Sequence, residues 1–386
     1  MNRVSKRDRS RAELLAAVRR VVVKIGSGVL TRGGVKLEPR VIGRLARELC
    51  ALKSKGRELV LVSSGAIVAG SDRLGLKRRP ADLAGKQAAA AVGQTHLIWM
   101  YERAFARHAQ RVAQILITRE DLADRRRFLN ARHTLFELLR LDAIPIINEN
   151  DSVAVEEIQL GDNDQLSALV TNLVEADLLV ILTDTDGLYE RDPRLHPEAR
   201  LLGTVPADGI PVGAGGPSGL GVGGMRTKVL AAQQAAAYGV PTIIASGHRS
   251  GLIEGLLNGD PIGTLVRPRE RALGSRKHWI AYTLRPAGRI VVDSGAERAI
   301  VHGGKSLLPS GVRGLRGSFE VGGCVEIAAE GGREFARGMV SYSSSELERI
   351  KGLKSSEIER ALGYHSGDEV VHRNDLVLLS AVESTA

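Results

Sequence analysis

The chain has 386 residues, 43% of them hydrophobic and 25% charged, which is the composition of an ordinary soluble globular protein. No apolar run approaches the roughly 18 residues that a membrane helix needs. The two cysteines argue against a disulfide scaffold and favour a reducing compartment, so we expect a cytoplasmic protein without a membrane partner. One hydrophobic core rarely organises a chain of this length, and we therefore expect two domains.

The net charge of +10 raises the possibility of a nucleic-acid partner. Residues 1–20 hold seven Lys or Arg and two Asp or Glu, so half of the excess lies in what we interpret as a basic N-terminal tail. A solvated terminus is the simpler explanation of such a cluster. The remaining excess could attract anionic substrates.

From residue 21 onward, strand-like and helix-like segments alternate along the chain. Short apolar runs that end in small or polar residues predict strands at 21–26, 58–65, 114–118, 143–150, 178–184 and 240–246. Continuous apolar strands that alternate with helices indicate an α/β fold, with a mostly parallel sheet sandwiched by helices. Ligands of such sheets bind at the carboxyl ends of the strands, where the polar clusters of this sequence lie.

The composition changes after this region, where Arg and Pro become frequent. We interpret 21–267 as the first domain, 268–286 as a linker and 287–380 as a small, mostly β second domain. Strand-like runs in the second domain lie at 289–293, 324–329, 334–342 and 376–380.

The first candidate residue for binding an anion is Lys24, which a hydrophobic strand places directly before a Gly-Ser-Gly turn at 26–28. Backbone N–H groups in such a turn can cradle an anion, and the ammonium adds a positive charge. Taken alone, a lysine in a strand is more often a solvated edge residue. The next strand ends in Ser63, Ser64 and Gly65, which favour either anion binding at the following helix or a simple capped turn.

The densest polar cluster lies in the predicted loop 151–165 and the strand end before it. Its members are Asn148, Glu149, Asn150 and Asp151, followed by Asp162, Asn163 and Asp164. So many acids and amides suggest recognition of an amino-acid ammonium group or of a cation. A calcium loop is a poor alternative because the Gly that an EF-hand requires is absent. An ordinary Asx turn would explain either the group at 148–151 or the group at 162–164 more easily than both groups together.

Two further segments suggest nucleotide binding. Thr183 and Asp184 end a buried strand and could contact adenine or ribose, although a capped turn is the simpler interpretation. A Gly-rich loop at 207–224 leads to Thr227 and Lys228 at the start of an Ala-rich helix, which is typical of a phosphate site. Together with Lys24, Lys228 could neutralise the charge on a transferring phosphoryl group.

These segments, in this order, resemble the amino acid kinase family over residues 21 to about 267. The resemblance rests on VKIGSG, SSGAIVAG, KQAAAAVGQ, FLNARHTL, INENDSVA, GDNDQLSALV, LTDTDGLY and GGMRTK. Within the family, NENDSVA and GDNDQLSA favour the members that phosphorylate glutamate over those acting on acetylglutamate, aspartate, carbamate or UMP. Residues 289–380 resemble a PUA domain, which is common in RNA-modifying enzymes.

The resemblance implies a role for individual residues. The implied catalytic residues are Lys24, Lys228 and Asp164, the last organising the two lysines. The implied L-glutamate-binding residues are Ser64, Asp151 and Asn163. The implied ATP-binding residues are Lys24, Thr183, Asp184, Val222, Gly223, Gly224, Met225, Arg226, Thr227 and Lys228. Val222 stands where Thr is frequent in the family, which removes a hydroxyl contact.

The implied reaction is phosphorylation of the γ-carboxylate of glutamate by ATP, the first step of proline biosynthesis, with Mg²⁺ that no protein side chain ligates directly. The family further implies proline as a feedback inhibitor, glutamyl phosphate reductase as the pathway partner, and a homo-oligomer, either dimer or tetramer. Two alternatives stay open on the sequence: a related kinase acting on another carboxylate, and an RNA-binding protein in which the PUA-like domain dominates.

Overall fold

The structure is a computed structural model that describes residues 10–379, apart from 33, 35, 154–162, 211–223, 269–274 and 366. The chain divides into two compact units, residues 1–272 and residues 273–386. Each unit has a hydrophobic core of its own.

The first unit is built on a sheet of eight strands. The strands of the sheet are β1 (Arg20–Ile25), β4 (Glu58–Ser63), β5 (Val112–Ile117), β6 (Ile144–Glu149), β7 (Leu178–Thr183), β8 (Thr204–Pro206), β9 (Thr242–Ser246) and β10 (Thr264–Arg267). Two further strands, β2 (Thr31–Arg32) and β3 (Lys36–Leu37), form a separate hairpin. The sheet order is β5-β6-β4-β1-β7-β9-β10-β8, and the pairs from β5 to β9 are parallel, whereas β10 runs antiparallel to β9. The six predicted strands and the mostly parallel sheet are confirmed.

Ten helices accompany this sheet in the described part of the unit. They are α1 (Arg11–Ala16), α2 (Ser27–Leu30), α3 (Pro39–Ser54), α4 (Ala66–Arg73), α5 (Leu83–Ala106), α6 (Arg119–Ala123), α7 (Arg125–Arg140), α8 (Asn163–Leu173), α9 (Met225–Ala237) and α10 (Leu252–Asn258). Burial follows the sequence pattern: β6 and β7 are buried along their whole length, and α3 turns a stripe of Leu and Ile residues into the core.

Helix α1 lies inside the segment predicted to be a basic tail. Ser10 and Glu13 form a capping box at its start, and Leu14 and Leu15 are buried. The guanidinium of Arg11 donates hydrogen bonds to the backbone carbonyls of Gly203 and Ile262, which attach the helix to the rest of the unit.

Helices α4 and α5 approach each other so closely that only glycine fits at two positions. A Cβ atom added at Gly70 would overlap the carbonyl oxygen of Ala89, and one added at Gly93 would overlap that of Ala66. The Ala- and Gly-rich sequences of both helices therefore set the distance between their backbones. This contact matters for the site because α4 starts directly after Ser64 and Gly65.

The second unit is a mostly β domain, as predicted. Its strands and helices are α11 (Ser275–Tyr282), β11 (Gly288–Val292), α12 (Ser294–Val301), β12 (Val312–Gly317), β13 (Cys324–Ala329), β14 (Glu334–Met339), α13 (Ser344–Ile350), α14 (Ile358–Leu362) and β15 (Leu376–Leu378). The strands form one sheet in the order β12-β11-β13-β14-β15. Helix α11 occupies part of the segment interpreted as a linker, and the exact domain limits stay a prediction.

Within the described ranges, no helix combines the length and apolar character needed to cross a membrane.

Candidate active site

A buried carboxylate joins the two lysines that the sequence singles out. Asp164 is fully buried at the start of α8, and its Oδ1 atom lies 2.6 Å from Nζ of Lys24 on β1. Its Oδ2 atom lies 3.1 Å from Nζ of Lys228 on α9 and 2.8 Å from the hydroxyl oxygen of Thr227. Because buried charges need partners, this ion-pair cluster fixes the position of both ammonium groups. Its formal charge of two lysines and one carboxylate is positive, which suits an anionic ligand.

The turn after β1 leaves room above the Lys24 ammonium. A Cβ atom at Gly26 would lie 3.6 Å from Nζ of Lys24 and 3.3 Å from the carbonyl oxygen of Leu182. The N–H of Gly26 donates to that carbonyl at 3.2 Å, which ties the turn to β7. The glycine therefore keeps a side chain away from the charged end of Lys24.

A second cluster of polar groups surrounds Asn163, the neighbour of Asp164. The amide nitrogen of Asn163 lies 2.9 Å from the hydroxyl of Ser64, 2.9 Å from Oδ1 of Asn148 and 3.1 Å from the carbonyl of Ser63. Its Oδ1 atom is buried and accepts no hydrogen bond from any residue in the described part of the chain. An unsatisfied buried acceptor is costly, so this oxygen is suited to a donor on a ligand.

Asp151 follows β6 in a turn, close to the same cluster along the chain. Burial raises the pKa of its carboxyl group to about 6, and the nearby guanidinium of Arg79 offsets part of that rise. A carboxylate that is incompletely ionised near neutral pH would gain from a cationic ligand such as an ammonium group.

Of the residues predicted to bind ATP, Lys24 lies on β1, Thr183 and Asp184 lie at the end of β7, and Gly224 to Lys228 lie at the start of α9. The hydroxyl of Thr183 donates to Oδ1 of Asp184 at 3.0 Å, and the Asp184 side chain is exposed. Gly224 is the N-cap residue of α9, and Met225, Arg226 and Thr227 form its first turn. Val222 and Gly223 lie outside the described residues, so their assignments stay predictions.

Two parts of the sequence match profiles of known families. Residues 19–246, more than half of the chain, match the profile of the amino acid kinase family, and residues 288–362 match that of the PUA domain. The chain belongs to the amino acid kinase family.

Three relatives of this amino acid kinase carry the name glutamate 5-kinase. The protein of Pelobacter propionicus is 54% identical over 96% of this chain and 100% of its own length. The protein of Trichlorobacter lovleyi is 54% identical over 96% of this chain and 99% of its own length. The protein of Geobacter sulfurreducens is 50% identical over 96% of this chain and 100% of its own length. The similarity therefore extends over both units.

The structure adds two supporting residues that the sequence did not single out, both on α5. Oε1 of Gln94 accepts a hydrogen bond from the amide of Asn148 at 2.8 Å, and the hydroxyl of Tyr101 lies 2.9 Å from that of Ser63. Burial raises the pKa of Tyr101, which keeps its phenol protonated. Helix α5 thus contacts both Asn148 and Ser63, which border the Asn163 amide. Gln94 ends the KQAAAAVGQ block of the family resemblance, but that block did not indicate its contact with Asn148.

No group of three or more His, Cys, Asp and Glu side chains that could hold a metal ion occurs among the residues described by the structure. Both oxygens of Asp164 already face lysine ammonium groups.

Proposed function

We propose that this chain transfers the γ-phosphoryl group of ATP to the γ-carboxylate of L-glutamate and releases ADP and glutamyl 5-phosphate. The observation that carries the proposal is the buried carboxylate of Asp164 between Lys24 and Lys228, directly beside Asn163. The names of the full-length relatives support glutamate as the acceptor and do not favour another acid or an RNA-binding role.

The chemistry needs positioning and charge neutralisation more than proton transfer. A carboxylate is ionised and nucleophilic at neutral pH, so its oxygen can attack the γ-phosphorus of ATP without a general base. The P–O bond to ADP breaks as the new acyl phosphate bond forms, and negative charge accumulates on the oxygens between them. Lys24 on β1 and Lys228 on α9 would stabilise that charge, and Asp164 would hold both ammonium groups in place before ATP binds.

The glutamate-binding residues would act on the other end of the substrate. Ionised Asp151 would bind the ammonium group of glutamate, while Ser64 and Asn163 would supply neutral polar contacts. Holding the substrate at both ends would orient its γ-carboxylate for attack.

Mg²⁺ fits this arrangement as a companion of ATP. The ion usually keeps several waters and binds through substrate phosphates, and the lysine pairs leave Asp164 unsuited as its ligand. Thr183, Asp184 and the first turn of α9 would then hold the nucleotide. When bound, the ion would neutralise charge on the phosphate oxygens.

The pathway assignments belong to the same proposal. Glutamyl 5-phosphate is labile in water, so a reductase that consumes it, glutamyl phosphate reductase, is the expected partner in proline biosynthesis. Proline is the expected feedback inhibitor. A cytoplasmic homo-oligomer, dimer or tetramer, is the expected form of the enzyme.

The direct test traps the acyl phosphate with hydroxylamine and measures the hydroxamate. ATP-dependent turnover with glutamate, but not with aspartate or acetylglutamate, is expected, and Lys228→Ala should abolish it. Lys55→Ala is the matched control, because Lys55 is exposed and pairs only with Glu254 at 2.6 Å among the described residues. Turnover with another acid alone would overturn the substrate assignment.

A further inference from the structure

A surface groove of about 290 Å³ lies between β3, α3, α4 and α5, away from the Asp164 cluster. Its floor is apolar and includes Leu37, Ile42 and Met100. This volume is close to the lower limit of small-molecule sites, which are mostly apolar with a few polar groups at fixed positions.

The rim of the groove is aromatic and cationic. Trp99 is 47% exposed, its ring stacks on His96 with centroids 5.8 Å apart, and Cζ of Arg103 lies 4.7 Å from its centroid. Arg107 also lines the groove and forms no ion pair with any residue that the structure describes. An exposed tryptophan held by two neighbours is a rigid contact surface for an apolar group.

The charges around the groove are unbalanced in favour of an anion. Lys36, Arg103 and Arg107 line it, and Asp72 is the acidic residue among its described lining, 3.7 Å from Nζ of Lys36. Burial lowers the pKa of His96, and the nearby Arg73 lowers it further. A negatively charged ligand would relieve this excess of positive charge.

The elements that line the groove also hold the Ser63–Gly65 turn. Leu37 packs on Gly65: a Cβ atom added at Gly65 would lie 3.4 Å from Cδ2 of Leu37. Ala69 belongs to α4, which starts after that turn, and Met100 precedes Tyr101, whose hydroxyl contacts Ser63. These contacts connect the floor of the groove to the turn that carries Ser64.

We propose that the groove is a second binding site, for a small aromatic carboxylate, and that its occupation changes the affinity of the Ser64 site for glutamate. The ligand's ring would lie on the apolar floor against the exposed edge of Trp99, whose faces contact His96 and Arg103, and the carboxylate would pair with Arg103 and Arg107. A second copy of the chain fits less well, because a two-fold contact through the same surface would bring the same cationic side chains together. Only the coupling to glutamate rests on the proposed function.

Binding can be measured without any enzyme assay. Trp279→Phe leaves Trp99 as the only tryptophan of the two in the sequence, so its fluorescence reports on the groove. Titration with 3-phenylpropionate should change that fluorescence saturably, with a dissociation constant of about 1 mM or lower. Arg103→Gln combined with Arg107→Gln should weaken binding at least about tenfold, and so should replacing the ligand by the neutral 3-phenylpropionamide.

The coupling is measured on the same variant with the hydroxamate assay. Increasing 3-phenylpropionate should change KM for glutamate to a limiting value that differs by about fivefold or more, and should leave kcat unchanged. Glutamate should change the dissociation constant of the ligand by the factor by which the ligand changes the dissociation constant of glutamate. The double arginine variant should keep the basal KM and lose the effect.

Three results would overturn the proposal. They are absence of saturable binding, equal binding of the acid and the amide, and simple competition between the ligand and glutamate. A shift of Trp99 fluorescence on dilution, with dissociation of a dimer seen by sedimentation, would instead identify the groove as an interface between two copies.

Discussion

Asp164 shows how a single buried side chain can determine the geometry of a phosphoryl-transfer site. Either lysine alone would be a flexible point charge, and the two together would repel each other. The carboxylate removes that repulsion by contacting one ammonium group through each of its oxygens. It thereby holds two cations from β1 and α9 in one place before an anionic substrate arrives.

Asp164→Asn should therefore impair both catalysis and stability. The substitution keeps the size of the side chain but leaves two buried ammonium groups, Lys24 and Lys228, without their counter-charge. Breaking a buried ion pair in this way costs about 3–5 kcal/mol, and kcat should fall by about 100-fold or more. Urea unfolding and steady-state kinetics measure the two effects.

Glu175→Gln is the control for that variant. Glu175 lies 2.5 Å from the guanidinium of Arg132, but its side chain is 49% exposed. An exposed pair contributes about 0–1 kcal/mol, so this variant should keep nearly wild-type stability and activity. Equal effects of the two substitutions would contradict the role assigned to the buried cluster.

Asp151 should make glutamate binding dependent on pH. Its pKa of about 6 means that acidification neutralises the group expected to bind the substrate ammonium. In the wild type, kcat/KM for glutamate should fall about tenfold per pH unit below that pKa, because this ratio reports on the free enzyme. In Asp151→Asn the ratio should be low and should lose this dependence. Asp142→Asn, at an exposed carboxylate elsewhere, should keep the wild-type profile.

The raised pKa of Asp151 should make the folded state less stable as the pH rises, although glutamate binding should improve over the same range. Folded Asp151 holds its proton more tightly than the unfolded chain does, with a pKa of about 6 against an ordinary value of 3.8. Its contribution to stability is therefore complete below the ordinary pKa and is lost as the pH rises through 6. The stability of the wild type relative to Asp151→Asn should decline over that window. A difference that does not change with pH would argue against a raised pKa.

At the scale of elements, the sequence predicted the continuously apolar strands of the first unit and four of the five strands of the second unit. β6 and β7 are visible because all six positions of each are buried. β8 and β10 were missed because they span only three and four residues. β12 was missed because its sequence VRGLRG contains two arginines and two glycines in place of an apolar run.

The candidate site divides in the same way between sequence and structure. Motifs and the family resemblance predicted Lys24, Asn163, Asp164 and Lys228, and the structure brings these residues together. Gln94 was not predicted, because its contact with Asn148 joins positions 54 residues apart. Such a contact depends on how α5 packs, which no local pattern encodes.

The close contact between α4 and α5 should be sensitive to a single methyl group. In Gly70→Ala, the new Cβ atom would overlap the carbonyl oxygen of Ala89, and the backbone of one helix would have to move. Overpacking of this kind costs about 1–3 kcal/mol or more. Since α4 positions Ser64 and α5 positions Gln94, KM for glutamate should also rise. Chemical unfolding and kinetics of the variant measure both effects.

Gly43→Ala separates this steric effect from helix propensity. Gly43 lies in α3, and a Cβ atom added there meets nothing within 4 Å. The substitution should stabilise the chain by about 0.5–1 kcal/mol, the usual difference between glycine and alanine inside a helix. If Gly70→Ala were also stabilising, the two helices could not pack as closely as the structure indicates.

At the scale of the whole molecule, the chain consists of two units with separate cores. All the described candidate residues for catalysis and substrate binding belong to the first unit, residues 1–272. The two core clusters share no residue among those described. Chains built in this way often unfold in more than one step, because each core can be lost independently.

Matched core substitutions should therefore affect different unfolding transitions. Leu61 and Ile327 are both fully buried, the first in the core of residues 1–272 and the second in that of residues 273–386. Leu61→Ala and Ile327→Ala should each cost about 2–5 kcal/mol of local stability. Activity lost on heating should follow the transition that Leu61→Ala shifts, whereas Ile327→Ala should shift the other transition and leave kcat and KM unchanged below it. Calorimetry and residual-activity measurements on the full chain distinguish the two. A single transition that both variants shift equally, with equal loss of activity, would mean that the two units unfold as one cooperative body.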